Sequence, residues 1–330
     1  MPSFTEEFLP VEDQVDLLLR RGMLGDRKEM RCRLEMVSYF RLSGYWYPFR
    51  LPTPSIELGQ RQRLKEFRAG TSFEDVWTRY TFDRRFRVLV MDAIERIEVA
   101  VRCQLVNHHT ERHGKFAYAI DRTSLPNLKR AERGELLKRL ISEQASSKEV
   151  VVQEFFDAHQ DVETFLPFWM AAEVMTFGTL LHFYRGSPRE VRVPVAAPFA
   201  TFETIVDSWL LSLNTVRNIC AHHGRLWNRE LGTPPTIPNK PEWRTPVKIG
   251  NNRVFGVLSI CKWTLDRIAS QSQWSSRLVM LLNEYPGIPL ESMGFPANWL
   301  DSPIWSDKRH LVSARPDMRN AVARPVCVVK

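Results

Sequence analysis

The sequence predicts an all-α protein, on three observations. Apolar residues recur at helical spacing over long runs, caps and glycine stops punctuate those runs, and alternating strand patterns are scarce. No internal repeat interrupts the pattern.

Taken in order, "VEDQVDLLLRRGM" predicts a short helix that stops at Gly22, and a second starts from Asp26 with Met30, Leu34 and Val37 on one face. It runs into "YFRLSGYWYPFR", whose six aromatics form either a core-forming turn around Gly44 and Pro48 or an aromatic and arginine platform on which RNA bases stack. Residues 50–70 read as a connecting segment. Ser72 and Asp75 then cap a long helix that continues to about His113. Phe82, Phe86, Leu89, Ala93 and Ile97 form one stripe on it, and Val90, Ile94, Val101 and Leu105 a second, so it packs on more than one side. Asp92 with Arg96 and Glu98 with Arg102 stand at pairing distance along it.

Residues 123–160 predict two helices broken near Ser146 and Ser147, and "LPFWMAAEVMTFGTLLHFYRG" predicts one more after Pro167 that stops at Gly186. A strong helix follows from about Thr201 to His222, then a Pro-rich basic loop, residues 231–253. Helical patterns return at about 254–269 and 275–284, and "DKRHLVSARPDMRNAVARPVCVVK" reads as a loosely held tail.

Bulk properties narrow the function. The chain has 330 residues, 44% of them hydrophobic, enough for a sizeable core, and no run of about 20 apolar residues that would span a membrane. The acidic start, "MPSFTEEFLPVEDQ", lacks the apolar run of a signal peptide. Five scattered cysteines, Cys32, Cys103, Cys220, Cys261 and Cys327, form no CxxC pair, which suits a cytoplasmic protein and argues against a cysteine-bound zinc site. The net charge of +8 favours a polyanionic partner, nucleic acid first. The motifs of P-loop, dinucleotide-binding, zincin and α/β-hydrolase enzymes are absent, so no nucleotide cofactor and no metal is expected.

The chemistry-bearing stretch is "RNICAHHGRLWNRE", residues 217–230. In the helix before it, Phe202, Ile205, Val206, Trp209, Leu210, Leu213, Val216 and Cys220 follow the rhythm of one buried face. With the middle of that face set to zero and about 100° per residue, Asn218 falls near about 160° and His222 near about 200°, away from the core. Arg217 falls near about 60° at one rim and His223 near about 300° at the other. Asn218 and His222 are one turn apart and stack. His223 reads as a packed or cap-region residue, and the helix is expected to end at Gly224. His222 is either a solvated histidine near a helix end or one reachable by an external phosphate. Cys220 reads as inert core.

"RNICAHHGRLWN" resembles the Arg-x4-6-His motif of the HEPN superfamily and, more narrowly, the Abi-like family of bacterial abortive-infection proteins of the AbiD/AbiF type. "YFRLSGYWYPF", "YTFDRRFRVLVMDAIERIEVAVR" and "LPFWMAAEVMTFGTLLHFY" resemble earlier segments of that family in the same order, so the resemblance covers roughly residues 10–230. It implies a HEPN-type helical bundle over residues 71–285, with an N-terminal helical segment and connector over 1–70, additional C-terminal helices, and an irregular tail over 286–330. It also implies a metal-independent endoribonuclease, a homodimer, acting in anti-phage defence, with Arg217, Asn218 and His222 as its catalytic residues. The motif also allows Arg217 to pair with His223. RNA is the implied substrate, and a structured non-coding RNA a further partner. The alternative is a non-catalytic HEPN module that binds RNA or protein.

The residue chemistry suits cleavage. RNA carries its own nucleophile, the 2′-OH, histidine transfers protons near neutral pH, and arginine grips phosphate oxygens. One histidine per chain falls short of a separate acid and base, and two motif helices across a two-fold axis would supply both. Arg225, Arg229, Lys240, Arg244, Lys248 and Arg253 are candidates for contacts to the RNA backbone, or ordinary solvated charges. Asp83 and Glu98 either reach the site from the long helix or serve as ion-pair partners.

Overall fold

A computed structural model describes residues 8–53, 63–159 and 163–306. The expected C-terminal tail from residue 307, with Cys327, and part of the connector lie outside the described residues. The chain divides into two compact units, Met1–Arg87 and Val88–Lys330. Among the described residues there are thirteen α-helices and one small two-stranded sheet, so the class is all-α, as the periodicity predicts.

In the first unit, α1 (Val11–Arg20) stops where Gly22 takes a φ of 90°, a conformation that favours glycine. α2 (Arg27–Val37) is capped by Asp26, whose carboxylate accepts from the Glu29 N–H at 2.9 Å. The aromatic segment is not a turn. It forms α3 (Tyr39–Trp46), followed by one 3-10 turn, Tyr47–Phe49. The Ser38 hydroxyl accepts from the Arg41 N–H and starts that helix, a cap signal outweighed in the sequence by Gly44 and Pro48. Tyr45 and Trp46 are buried and unavailable for base stacking, whereas Phe40 stands exposed. The segment read as a connector contributes two antiparallel strands, β1 (Arg50–Pro52) and β2 (Arg63–Phe67), too short to show alternation. Asp83 is buried, accepting from the Tyr45 hydroxyl at 2.7 Å and pairing with Arg87, so it is an ion-pair residue.

α4 (Phe73–His113) is the long helix, and Ser72 and Asp75 cap it reciprocally: the Asp75 N–H donates to the Ser72 hydroxyl at 3.0 Å and the Ser72 N–H to the Asp75 carboxylate at 3.1 Å. Residues 73–87 belong to the first unit. Leu89, Val90, Ala93, Ile94, Ile97, Val101 and Leu105 are buried in the core of the second, and Phe82 and Phe86 are buried as well, so both predicted stripes hold. The i,i+4 pairs Asp92–Arg96 and Glu98–Arg102 form at 3.2 and 2.8 Å.

The second unit continues through α5 (Ala117–Ile120), α6 (Arg130–Ser146) and α7 (Val150–His159). The single helix expected after Pro167 is two, α8 (Phe168–Val174) and α9 (Phe177–Gly186). Thr176 breaks them, because its hydroxyl accepts from the Thr179 N–H at 3.3 Å and caps α9. α10 (Arg189–Ala196) was hidden in the sequence by Pro194. α11 (Glu203–Ala221), α12 (Val254–Ile268) and α13 (Trp274–Glu284) follow the predicted patterns closely. Phe202, assigned to the buried face of α11, caps its start instead and is 68% exposed. Beyond α13, Phe295, Trp299 and Trp305 pack around Phe255.

Candidate functional site

The site is built on the last turns of α11. Val206, Trp209, Leu210, Leu213, Val216 and Cys220 are buried and fix the rotation of the helix. That rotation leaves Asn218 and His222 exposed and Arg217 half-buried, in the order the helix geometry predicts. Asn214, one turn before Asn218, extends the same ridge. A Cβ added at Gly178 of α9 would lie 3.9 Å from Asn214 Nδ2, so that glycine leaves room beside the ridge.

The helix ends earlier than expected. His222 is the C-cap, and His223, not Gly224, takes the left-handed conformation, with φ of 57°. The Gly224 N–H donates to the Ile219 carbonyl at 2.7 Å and the His223 N–H to the Cys220 carbonyl at 3.0 Å, the double bond of a Schellman closure. Histidine is among the few residues enriched in this conformation. Gly224 is needed for a different reason: a Cβ there would sit 3.1 Å from the Ile219 carbonyl oxygen, the acceptor that closes the helix. His223 is therefore a cap residue that faces solvent rather than a packed one. His222 keeps its backbone bond to the Asn218 carbonyl at 3.0 Å, which holds the two residues in register.

Arg217 Nη1 reaches Asn218 Oδ1 at a long 3.5 Å. Glu98 of α4 also interacts with Arg217 electrostatically. Burial pushes the Glu98 carboxyl up from its ordinary range, and Arg102 and then Arg217 pull it back down, so Arg217 lies within electrostatic reach of this carboxylate. Arg102 holds Glu98 at 2.8 Å and also donates to the Met175 carbonyl at 3.1 Å, next to the α9 cap. The tie from Arg102 to Met175 was not foreseen, and neither was Asn214. The i,i+4 pairing of Glu98 with Arg102 and the i,i+4 spacing of Asn214 from Asn218 were the available signals.

The six candidate cations separate into two groups. Arg225 Nη1 donates to the Trp227 and Asn228 carbonyls at 2.9 and 3.1 Å, and Arg229 Nε to the Arg225 carbonyl at 2.8 Å, so both shape the turn after α11. Arg253 bridges Asn228, Ser292 and Glu230. Lys240 donates to the Ala200 carbonyl at 2.6 Å and lies 5.8 Å from the Trp263 ring centre. Arg244 and Lys248 are exposed, with no side-chain hydrogen bond or ion pair among the described residues. The loop that carries them is stitched down by Trp209 Nε1 to the Thr236 carbonyl at 2.8 Å and by the fully buried Trp243.

Among the described residues, no three His, Cys, Asp or Glu side chains gather in a way that could hold a metal ion, and no helix is long and apolar enough to cross a membrane. Cys220 is buried, as read from the sequence, and burial pushes the Cys261 thiol up.

Searches of curated proteins and of solved structures found no match to this chain. The sequence profile described as Abi-like protein matches residues 33–228 of the 330, from within α2 to Asn228 just beyond α11. That span covers more than half of the chain and takes in Glu98, Arg217, Asn218 and His222. The chain therefore belongs to the Abi-like protein family and is an abortive-infection-related protein.

Proposed function

We propose that this protein is a metal-independent endoribonuclease of the HEPN superfamily that acts in an anti-phage, growth-arresting response. The observation that carries this reading is the outward ridge of α11, where Asn218 and His222 are exposed one turn apart and Arg217 stands at the rim.

The roles follow from the side chains. Arg217 stays charged and grips the non-bridging phosphate oxygens as negative charge builds on them. His222 transfers protons. In the reaction, the 2′-OH loses its proton, its oxygen bonds to phosphorus, and the bond from phosphorus to the 5′-oxygen breaks as that oxygen gains a proton. Asn218 orients the imidazole or binds phosphate. Glu98 is a positioning residue: it attracts the Arg217 guanidinium and restricts where it points. One such histidine per chain motivates a homodimer, in which the second copy supplies the other proton-transfer group. Exposed Arg244 and Lys248 are the strongest candidates for contacts to the RNA backbone, whether that RNA is substrate or a bound structured RNA.

The test is RNA cleavage by the purified full chain in EDTA, with light scattering on the same sample. The expected result is a dimer whose products carry a 2′,3′-cyclic phosphate or 3′-phosphate and a 5′-OH. Cleavage that needs magnesium and leaves 5′-phosphates would overturn the reaction. Tight RNA binding without any cleavage would leave a binding module in its place.

A further inference from the structure

We propose that Asn214 selects the cleavage site by reading the edge of an adenine base, in a niche floored by Gly178 and flanked by Thr176. The proposal rests on the ribonuclease reading above and deepens it, naming the feature of RNA that the α11 ridge recognises.

Asn214, Asn218 and His222 follow one another at four-residue steps along α11, Asn214 half-buried and the other two exposed. Two turns, about 12 Å of helix rise, separate Asn214 from His222. A nucleotide lying over Asn214 is therefore a neighbour of the one whose phosphate lies at His222.

Two local choices here run against helix stability. Asparagine is a weaker helix former than alanine, and among the described residues the Asn214 amide makes no hydrogen bond. Gly178, in the first turn of α9, is weaker still. Packing does not require glycine there: an added Cβ would make ordinary contacts, 3.9 Å from Asn214 Nδ2 and 3.9 Å from Thr176 Oγ1. Its bare backbone instead leaves a floor between an amide and a hydroxyl, open to the face of a planar group. Departures from local preference of this kind gather at functional sites.

The hydrogen bonds behind the niche define the polarity of its ligand. The Thr179 hydroxyl donates to Glu143 Oε1 at 2.7 Å, so in the 3.1 Å contact between the Thr176 and Thr179 hydroxyls it is Thr176 that donates. Thr176 Oγ1 also accepts from the Thr179 N–H at 3.3 Å. With its one hydrogen engaged, the Thr176 oxygen offers a ligand only a lone pair. Glu143 adds negative charge behind it and accepts from the Thr176 N–H at 3.4 Å, occupying the α9 N-terminus. An acceptor backed by a carboxylate repels a phosphate and attracts an N–H donor. The amide beside it holds a donor and an acceptor together, and the base edge that matches an asparagine in two bonds is that of adenine, N7 accepting and N6 donating. The second N6 hydrogen is then left for Thr176. Single-stranded RNA, whose bases splay out, presents that edge.

The experiment uses the full chain and two randomised pools of short RNA, one natural and one 2′-O-methylated, which resists cleavage. The natural pool is sequenced at its cut ends, the methylated pool in the fraction that the protein retains. Wild type should cut with adenine enriched at one fixed position beside the cut, and should retain adenine-containing sequences in preference. Asn214→Ala should lower that discrimination roughly tenfold or more, the strength of a two-bond base contact, while cutting at other sequences continues. Gly178→Ala, whose methyl group intrudes on the floor, should lower it less. Both substitutions raise helix propensity, so the melting temperature should not fall and misfolding does not explain the loss. If nothing is cut but the retained pool shows the adenine preference and loses it in Asn214→Ala, the ribonuclease reading fails and base recognition by Asn214 stands. No adenine preference in wild type, or the same preference in Asn214→Ala, overturns the proposal.

Discussion

At the end of α4, His109 lies among Phe168, Phe183 and His113, its ring centre 4.9–5.0 Å from each of theirs, fully buried and with both ring nitrogens unpartnered. At the end of α11, His222 faces solvent one turn after Asn218. The two imidazoles are the same chemical group on helices of the same unit, and burial sets them apart. Burial pushes His109 down from 6.5 to about 4, His113 adds to that shift, and the Ser124 backbone opposes it from close by without hydrogen-bond geometry. A histidine kept neutral in an aromatic pocket cannot exchange protons with a substrate. An exposed one is open to that exchange.

The largest expected effect breaks the α11 side of this comparison. His222→Ala should lower RNA cleavage roughly 10²–10⁴-fold, the usual contribution of a general acid or base, and remove growth arrest. Melting temperature and RNA affinity should barely change, because an exposed side chain at the C-cap carries no core packing. His223→Ala should keep cleavage, since His223 lies past the last helical turn, in the left-handed position after the C-cap, rather than one turn after Asn218. If His222→Ala cleaves like wild type while His223→Ala does not, the motif is Arg217 with His223.

The second effect breaks the α4 side, and it is one of stability. Between about pH 6.5 and pH 4 the unfolded chain binds a proton at His109 that the folded chain refuses. The contribution is therefore complete above about pH 6.5 and is lost as pH falls toward 4, on the order of 3 kcal/mol. His113 and His182, both also pushed down chiefly by burial, act with the same sign. Urea unfolding across this range should show the loss in wild type and a clearly flatter profile in His109→Phe, whose ring keeps the aromatic packing. An unchanged profile would mean that water reaches His109 in solution.

Legibility in the sequence followed the same divide between local and tertiary causes. The stripes of α4, its Ser72 and Asp75 cap, and the outward face of Asn218 and His222 depend on neighbours three or four residues away, so spacing revealed them. The break at Thr176 was invisible because apolar residues run straight across it, and α10 was hidden by Pro194. The helix end was misplaced because Gly224 is the commoner left-handed residue, whereas His223 holds that conformation. The approach of Glu98 to Arg217 joins two distant helices, and only packing brings them together.

That approach gives the third prediction. Glu98→Gln keeps the shape and removes the charge that attracts Arg217. Cleavage should fall roughly tenfold, the equivalent of one modest interaction. If Glu98 positions Arg217, the fall should appear in kcat more than in KM, and Glu98→Asp should restore part of it. A change confined to melting temperature would reduce Glu98 to the ion pair with Arg102.

The smallest effect carries the distinction from histidines to cations. Lys240 and Arg253 spend their donors on carbonyls and side chains of the protein, while Arg244 and Lys248 face solvent. If the exposed pair contacts RNA phosphates, Arg244→Gln with Lys248→Gln should weaken binding and flatten its dependence on salt. Each lost contact to a single strand removes about 0.7 from the slope of log affinity against log salt, so the pair should remove roughly 1.4. Stability should not change, because neither side chain has a hydrogen-bond or ion-pair partner among the described residues. Lys240→Gln and Arg253→Gln should do the reverse, lowering the melting temperature through lost loop contacts and leaving the salt slope near its wild-type value. A salt slope that responds to Arg253 and ignores Arg244 and Lys248 would mean that the loop rearranges when RNA binds, turning donors that now hold the fold toward the phosphates.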